Sequence, residues 1–453
     1  MARIGILGLA RSGRAAAKLA LSRGDEVCAS DAVDSEDVRA AAAEIMRAGG
    51  HAEVGGHSLD RLSGCDLIVL SPGVPPTAMV LADHRVATVP RISELEFAYR
   101  ELRSPVIAVT GTNGKSTTTA LAAHLLQAAG MDAPAAGNIG LPLSEVALRA
   151  QRPDWVVVEA SSFQLADIDT FAPRVGVVTN LAPDHLDRYP TVEAYYGDKA
   201  RLFRNAGPDS SWVLNAEDEA VCALPGEADG ARLFFRVSTQ PAAREQGGFV
   251  SADQWLTVRL GGRELRLLPA RDLRVPGRHN QANALAASLC ALVAGAEPLA
   301  VAEGLRSFTG LEHRLEQVGE VAGVLWINDS KATNVDSTLT ALRSMTRPTV
   351  LLLGGRHKGE PYLRLVPELA RIARCVIAYG EAAPLIEADL APHLTVEVAG
   401  YDFAEVIARA AALARPGDAV LLAPACSSYD MFHNFEERGR RFRDLVHRQA
   451  PRA

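Results

Sequence analysis

The sequence has no C-x-x-C pair: its six cysteines, Cys28, Cys65, Cys222, Cys290, Cys375 and Cys426, lie scattered along 453 residues. That spacing excludes a zinc knuckle and a disulfide frame, and predicts reduced, mostly buried thiols in a cytoplasmic protein. No apolar run is long enough for a bilayer. The longest small-apolar stretch, Ala284 to Ala296, contains Ser288 and reads as a buried helix. Near the start, Arg3, Arg11 and Arg14 interrupt any signal-peptide core, so a soluble, cytosolic chain with no membrane partner is expected. Positive charge is not in excess either; a net charge of -7 argues against a broad nucleic-acid surface. Sequence repeats and low-complexity stretches are also missing. What remains, 48% hydrophobic and 22% charged residues, is the composition of a globular protein with real cores. At roughly 150 residues per domain, the length suggests about three domains.

Short apolar, β-branched runs alternate with helical patterns, which predicts parallel α/β architecture. Three sections separate, at 1–92, 93–309 and 310–453. The first opens with a strand at Arg3–Leu7 and a helix to Arg23, and reads as Rossmann-like. The central one starts at the strand Val106–Thr110 and reads as a P-loop ATPase-like domain with a mostly parallel sheet. Within it Val258 to Leu265 forms a hairpin pattern around Gly261-Gly262. The last section, again Rossmann-like, places Asp329-Ser330-Lys331, Gly354-Gly355 and Cys426-Ser427-Ser428 after its strands. Open α/β sheets bind ligands outside the carboxyl ends of their strands, so this section is expected to carry a site.

The sharpest local signal is Thr110-Gly-Thr-Asn-Gly-Lys-Ser-Thr117, which leaves a strand and opens a helix. Backbone N–H groups at such a turn, with the helix dipole behind them, cradle phosphates. Lys115 would reach the β/γ-phosphates and Ser116 would sit on Mg²⁺. The loop is tighter than the usual pattern, because Val109 occupies the first glycine's place. Glu159 closes the next strand, and Asn180-Leu-Ala-Pro-Asp-His-Leu-Asp187 follows the strand after it. A carboxylate beside a phosphate loop suits Mg²⁺, and His185 reads either as a second ligand or as a substrate contact. Gly8-Leu-Ala-Arg-Ser-Gly13 is a weakened dinucleotide fingerprint in which Ala10 replaces a glycine; Asp31 stands where a ribose-binding acid belongs. By physics alone, Lys199 reads as a solvated helical lysine, while Asn280 and Asn283 read as residues capping a helix start.

Together these pieces resemble the Mur ligase family, in particular its glutamate-adding branch. The carriers are Gly111 to Thr117, Glu159 to Leu165, Asp184 to Pro190, Pro276 to Asn283, His313-Arg314, Ile327 to Asn334, Pro424 to Asp430 and Asn434 to Gly439. The resemblance implies an ATP- and Mg²⁺-dependent ligase that adds D-glutamate to UDP-N-acetylmuramoyl-L-alanine; the handedness comes with the resemblance, not with any side chain. It implies that Gly111, Thr112, Asn113, Gly114, Lys115, Ser116 and Thr117 bind ATP, with Asn280, Asn283, Arg314 and Asp329. Ser116, Glu159, His185 and Lys199 would hold magnesium, Lys199 as a carbamate, which exchanges a repelling cation for an anion. Lys115, His185 and Lys199 would be catalytic. Lys331, Thr333, Lys358, Ser428 and Phe435 would line the glutamate pocket, and Ser12, Asp31, Ser71, Gly73 and Asn138 would face the UDP-sugar. Two departures stand out: Ala32-Val33 follow Asp31 where some relatives carry a basic residue, and Arg356 stands where an acid is frequent.

Rival readings are a sibling ligase or folate polyglutamate synthase, an NAD-dependent oxidoreductase, and a catalytically dead nucleotide-binding regulator. The diamino-acid-adding sibling would carry Asp-Asn-Pro-Arg in the last section, and none is present. The oxidoreductase leaves Lys115 and Arg314 unexplained, and the regulator leaves the intact phosphate and magnesium positions unexplained. A monomer acting on small molecules, with ATP residues drawn from two sections that close on one another, is the expectation.

Overall fold

The computed structural model describes residues 1–185, 188–275 and 277–449. The chain folds into two compact units. One comprises residues 1–181, 191–273 and 281–308; the other comprises 182–190, 274–280 and 309–453.

The first unit holds two sheets. Five parallel strands, β1 (Arg3–Leu7), β2 (Glu26–Asp31), β3 (His51–Val54), β4 (Leu67–Leu70) and β5 (Arg91–Ser93), run in the order β3-β2-β1-β4-β5. The order reverses between β1 and β4, so the loops after these strands flank a switch point, where open sheets leave a crevice. The second sheet has nine strands: β6 (Val106–Thr110), β7 (Ala135–Gly137), β8 (Val156–Glu159), β9 (Val175–Val178), β10 (Ser211–Asn215), β11 (Ala231–Arg236), β12 (Gly247–Val250), β13 (Trp255–Leu260) and β14 (Arg263–Pro269). Their order is β14-β13-β12-β11-β10-β9-β6-β8-β7. Every residue of β6, β8 and β9 is buried, as parallel strands covered on both faces require, which explains their unbroken apolar runs. The sheet turns antiparallel only at β12-β13-β14. Gly261 and Gly262, at φ 56° and 76°, make the expected hairpin turn, whose two central residues both need positive φ.

The second unit is built on β15 (Glu316–Val321), β16 (Val324–Asn328), β17 (Thr349–Gly354), β18 (Ala373–Tyr379), β19 (Val396–Val398) and β20 (Ala419–Leu422), ordered β15-β16-β20-β17-β18-β19. All pairs are parallel except β15 with β16. Two apolar clusters cover its two faces, one around Leu351, Leu353 and Val376, the other around Trp326, Leu352 and Phe442. The chain is thus α/β throughout, with mostly parallel sheets. The cysteines are free; five are buried and Cys222 is partly so. Among the described residues no helix is long and apolar enough to cross a membrane. Ala284 to Ala291 lie in the helix Arg278–Val293 and are buried, as their composition predicts.

Candidate active site

In the first unit the loop 111–114 leaves β6, whose neighbours are β8 and β9, so three strand ends converge. Gly111 (φ 134°) and Gly114 (φ 82°) take backbone conformations that a side chain would strain. A Cβ on Gly114 would also stand 2.6 Å from Asn283 Oδ1. The helix Lys115–Ala128 starts directly after, with Ser116 and Thr117 buried in its first turn. Lys115 folds back over the loop and donates from Nζ to the carbonyls of Gly111 (2.9 Å) and Thr112 (2.6 Å). The end of β9 grips the same loop. Asn113 N–H donates to Asn180 Oδ1 at 2.9 Å, Asn180 Nδ2 returns a bond to Asn113 O at 2.8 Å, and Thr179 Oγ1 donates to Asn113 O at 2.6 Å. Asn180 holds the loop in shape, a role that its strand-end position alone did not disclose.

The helix Val192–Ala200 delivers Lys199, and here the solvated-lysine expectation is corrected. Lys199 is 1% exposed, donates from Nζ to Gly111 O at 2.7 Å, and lies 4.4 Å from the centre of the Tyr195 ring. Tyr195 Oη reaches Thr112 Oγ1 at 3.4 Å. The reading of Asn280 and Asn283 as helix caps is corrected too: the helix begins at Arg278, so both lie inside it and are buried. Asn283 Oδ1 accepts instead from Thr118 Oγ1 at 3.2 Å.

Glu159 is buried at the end of β8. Asn138 bonds it twice, donating from Nδ2 to Glu159 Oε1 (2.8 Å) and from its backbone N–H to Glu159 O (3.0 Å). Asn138 also lines a cleft of about 580 Å³ at the switch point of the first sheet, together with Ser12, Asp31, Ser71 and Gly73. Both Asp31 oxygens are engaged, Oδ2 by Leu9 N–H (2.7 Å) and Oδ1 by Val33 N–H (2.9 Å), so the carboxylate staples two cleft loops. His57 lines the same cleft and was missed in the sequence, because a lone histidine three residues beyond the four-residue strand β3 belongs to no motif. Its Nδ1 meets Ser30 Oγ at 2.8 Å, and burial holds the imidazole below the usual histidine range against the pull of Asp31 and Glu53.

In the second unit β16, β20 and β17 are neighbours, and their ends carry Asp329 to Lys331, Pro424 to Ser428 and Gly355 to Lys358. Burial pushes the Asp329 carboxyl up to about 7 although Arg314 pulls it down, and Asp329 Oδ1 accepts from Leu315 N–H at 3.2 Å. Lys331 Nζ sits 3.8 Å from the centre of the Phe435 ring, and Thr333 N–H donates to Lys331 O at 2.8 Å. Ser428 is buried one residue beyond Ser427, which exchanges backbone bonds with Arg356 at 2.9 and 3.1 Å. These bonds bring the 356–358 turn to the 427–428 turn. His185 adopts φ 57°, its N–H on Asp184 Oδ1 at 2.8 Å. Burial raises the Asp184 carboxyl, but His185, Lys358 and a 2.9 Å bond from Asn334 Nδ2 outweigh it and leave it below the ordinary range. Leu186, Asp187 and Pro276 of the quoted motifs lie outside the described residues. No group of three or more His, Cys, Asp or Glu side chains gathers as a ready metal centre among the described residues.

A tight glycine-rich loop between a central parallel strand and a helix, a switch-point cleft in the same unit, and, in the second unit, an open sheet with basic and hydroxyl residues at its strand ends are features of the class of α/β enzymes that use nucleotides. The chain belongs to the Mur ligase family: the Mur ligase middle domain matches residues 109–291, and the Mur ligase glutamate ligase domain matches residues 313–426. A UDP-N-acetylmuramoylalanine--D-glutamate ligase of Anaeromyxobacter dehalogenans is 43% identical over 457 residues, covering 99% of this chain and 98% of its own. One from Salinibacter ruber is 41% identical, covering 97% and 96%. Among solved structures, a UDP-N-acetylmuramate-alanine ligase from Thermotoga maritima superposes with a TM-score of 0.62 at 21% identity, covering 99% of this chain and 100% of its own. At that identity the likeness speaks for the fold.

Proposed function

We propose that this chain is the ATP-dependent ligase that adds D-glutamate to UDP-N-acetylmuramoyl-L-alanine, a cytoplasmic step in building peptidoglycan precursors. The observation that carries this reading is the 43% identity, over 99% of the chain, to a ligase named for that reaction. On this reading residues 1–92 hold the UDP-sugar, 93–309 hold ATP and 310–453 hold the amino acid. Ser12, Asp31, Ser71, Gly73 and Asn138 face the UDP-sugar in the cleft that they line. The loop 111–117 takes the ATP phosphates, and Asn280, Asn283, Arg314 and Asp329 complete the nucleotide's contacts. Lys331, Thr333, Lys358, Ser428 and Phe435 receive glutamate.

An ionised carboxylate and an ammonium do not condense in water, so a leaving group must be installed first. The alanine carboxylate of the substrate attacks the γ-phosphorus of ATP, forming an acyl phosphate and releasing ADP. The glutamate amine, having lost its proton, then attacks the acyl carbon; the amide bond forms and inorganic phosphate leaves. Lys115 neutralises phosphate charge, and the loop amides and helix N-terminus orient it. The oxygen donors of Ser116 and buried Glu159, with no larger acidic cluster among the described residues, fit a hard cation that draws its remaining ligands from phosphate and water, as Mg²⁺ does. His185 and Lys199 are the further proposed ligands. The ion would supply charge neutralisation on the phosphates.

Phosphate release from ATP, Mg²⁺ and UDP-N-acetylmuramoyl-L-alanine, measured with D-glutamate, L-glutamate or a diamino acid, tests the reading. Release is expected with D-glutamate alone, and Lys115→Ala should abolish it while far-UV circular dichroism stays unchanged. Turnover with the diamino acid instead, or full activity in Lys115→Ala, would overturn the assignment.

A further inference from the structure

Arg438 is one of the largest fully buried side chains in the protein, with 0% exposure in the helix Phe435–Gln449. Its guanidinium touches three strand-end loops at once. Nε donates to Ser330 Oγ at 2.9 Å and Nη2 to Ser330 O at 2.8 Å, on the loop after β16. Nη2 also donates to Cys426 O at 3.2 Å, after β20, and Nη1 to Gly354 O at 3.5 Å, at the end of β17. Ser330 Oγ passes the connection on by donating to Phe435 O at 2.8 Å. A Cβ on Gly355 would stand 3.2 Å from Nη1, so the third loop closes tightly over the guanidinium. All the acceptors are neutral oxygens, and among the described residues no carboxylate pairs with Arg438 within 4.0 Å. A buried charge without a counter-ion is costly to keep, and lysine could not replace the planar fork that spans several acceptors.

The three loops joined this way are those that carry Lys331, Lys358 and Ser428, and Phe435 begins the helix that supplies the clamp. We infer that Arg438 is a positioning residue for the amino-acid pocket: it locks the ends of β16, β20 and β17 in one register, and its unpaired positive charge lies beneath a site that must receive a dicarboxylate. The inference rests on the proposed function, since it takes those side chains as the glutamate contacts. Arg438 itself touches no substrate; it acts through the loops.

The test is steady-state phosphate release by the full-length enzyme, varying D-glutamate, ATP and UDP-N-acetylmuramoyl-L-alanine in turn. Arg438→Lys and Arg438→Met should each raise KM for glutamate about tenfold or more, with KM for the other two substrates within about twofold. Arg438→Lys keeps the charge but loses the fork, so its return to the wild-type KM would overturn the clamp. An equal rise in all three constants would also overturn it, by showing a general loss of structure. Should neither variant fold, Ser330→Ala decides: it removes both the Nε acceptor and the Phe435 link, and a selective rise of about fivefold in glutamate KM is expected, an unchanged KM refuting the inference. A wild-type enzyme that releases no phosphate with D-glutamate would defeat the proposed function instead, so the two failures are distinct.

Discussion

Replacing Gly114 by alanine tests how the loop 111–114 keeps its shape. Two costs follow from the geometry. At φ 82° the new side chain pays the left-handed backbone penalty, about 1–2 kcal/mol for a non-glycine residue. Its Cβ would also stand 2.6 Å from Asn283 Oδ1, which must move away and lose its 3.2 Å bond from Thr118, about 1 kcal/mol more. The sum, about 2–3 kcal/mol, corresponds to a fall in melting temperature of roughly 4–12 °C in a unit of this size. The two costs separate in a double-mutant cycle. In an Asn283→Ala background no side-chain oxygen blocks the methyl group, so Gly114→Ala should cost only its backbone share and the coupling should be about 1 kcal/mol. Urea midpoints for the four proteins provide the measurement. Equal effects of Gly114→Ala in both backgrounds, or a variant that melts with the wild type, would refute the account of the loop.

Two pH-dependent predictions carry opposite signs. The Asp329 carboxyl is raised to about 7 by burial, so its contribution to stability is complete below about pH 4 and is lost as pH climbs through 7. Wild type should therefore lose melting temperature relative to Asp329→Asn between pH 5.5 and 8; parallel profiles would contradict the burial of that carboxyl. Glu96, fully buried, accepts from Asp169 N–H (3.1 Å), Thr170 N–H (3.0 Å), Phe171 N–H (2.9 Å), Thr170 Oγ1 (2.7 Å) and Arg100 Nε (2.8 Å). Burial alone would raise it, but these partners outweigh burial and hold it below the ordinary glutamate range, so its stabilisation is present above about pH 4.3 and fades as acid is added. Glu96→Gln turns an amide NH₂ toward these donors and should cost about 2–4 kcal/mol at neutral pH, with the gap to wild type closing in acid; a constant gap down to pH 3 would count against it.

The parts legible in the sequence were those where one physical requirement dominates a short stretch. Unbroken apolar strands such as β6 and β17 need burial on both faces, and Gly111 to Lys115 combines glycines, a lysine and a helix start in one reading frame. The antiparallel strand β15 escaped because Glu316 to Val321 is an edge with little alternation, held by its pairing to β16. Lys199 escaped for another reason: nothing local in a nine-residue helix announces that its ammonium will be buried on a carbonyl of a loop 88 positions away. Arg438 sits amid Glu436, Glu437, Arg440 and Arg441, a charge pattern that belongs to solvated helix faces, and only the sheet order β16-β20-β17 discloses what it reaches. His57 and Asn180 are likewise products of tertiary neighbours. Chemistry carried by a motif is local, whereas chemistry carried by a buried polar partner is a property of topology.

The oxygen of Gly111 accepts both Lys115 Nζ and Lys199 Nζ, at 2.9 and 2.7 Å. One peptide oxygen thus ties the start of the helix Lys115–Ala128 to the helix Val192–Ala200, whose Lys199 lies 88 positions further along the chain. A change in the path of the backbone at Gly111 is therefore felt by both lysines together, and neither can be re-aimed without disturbing the other's acceptor.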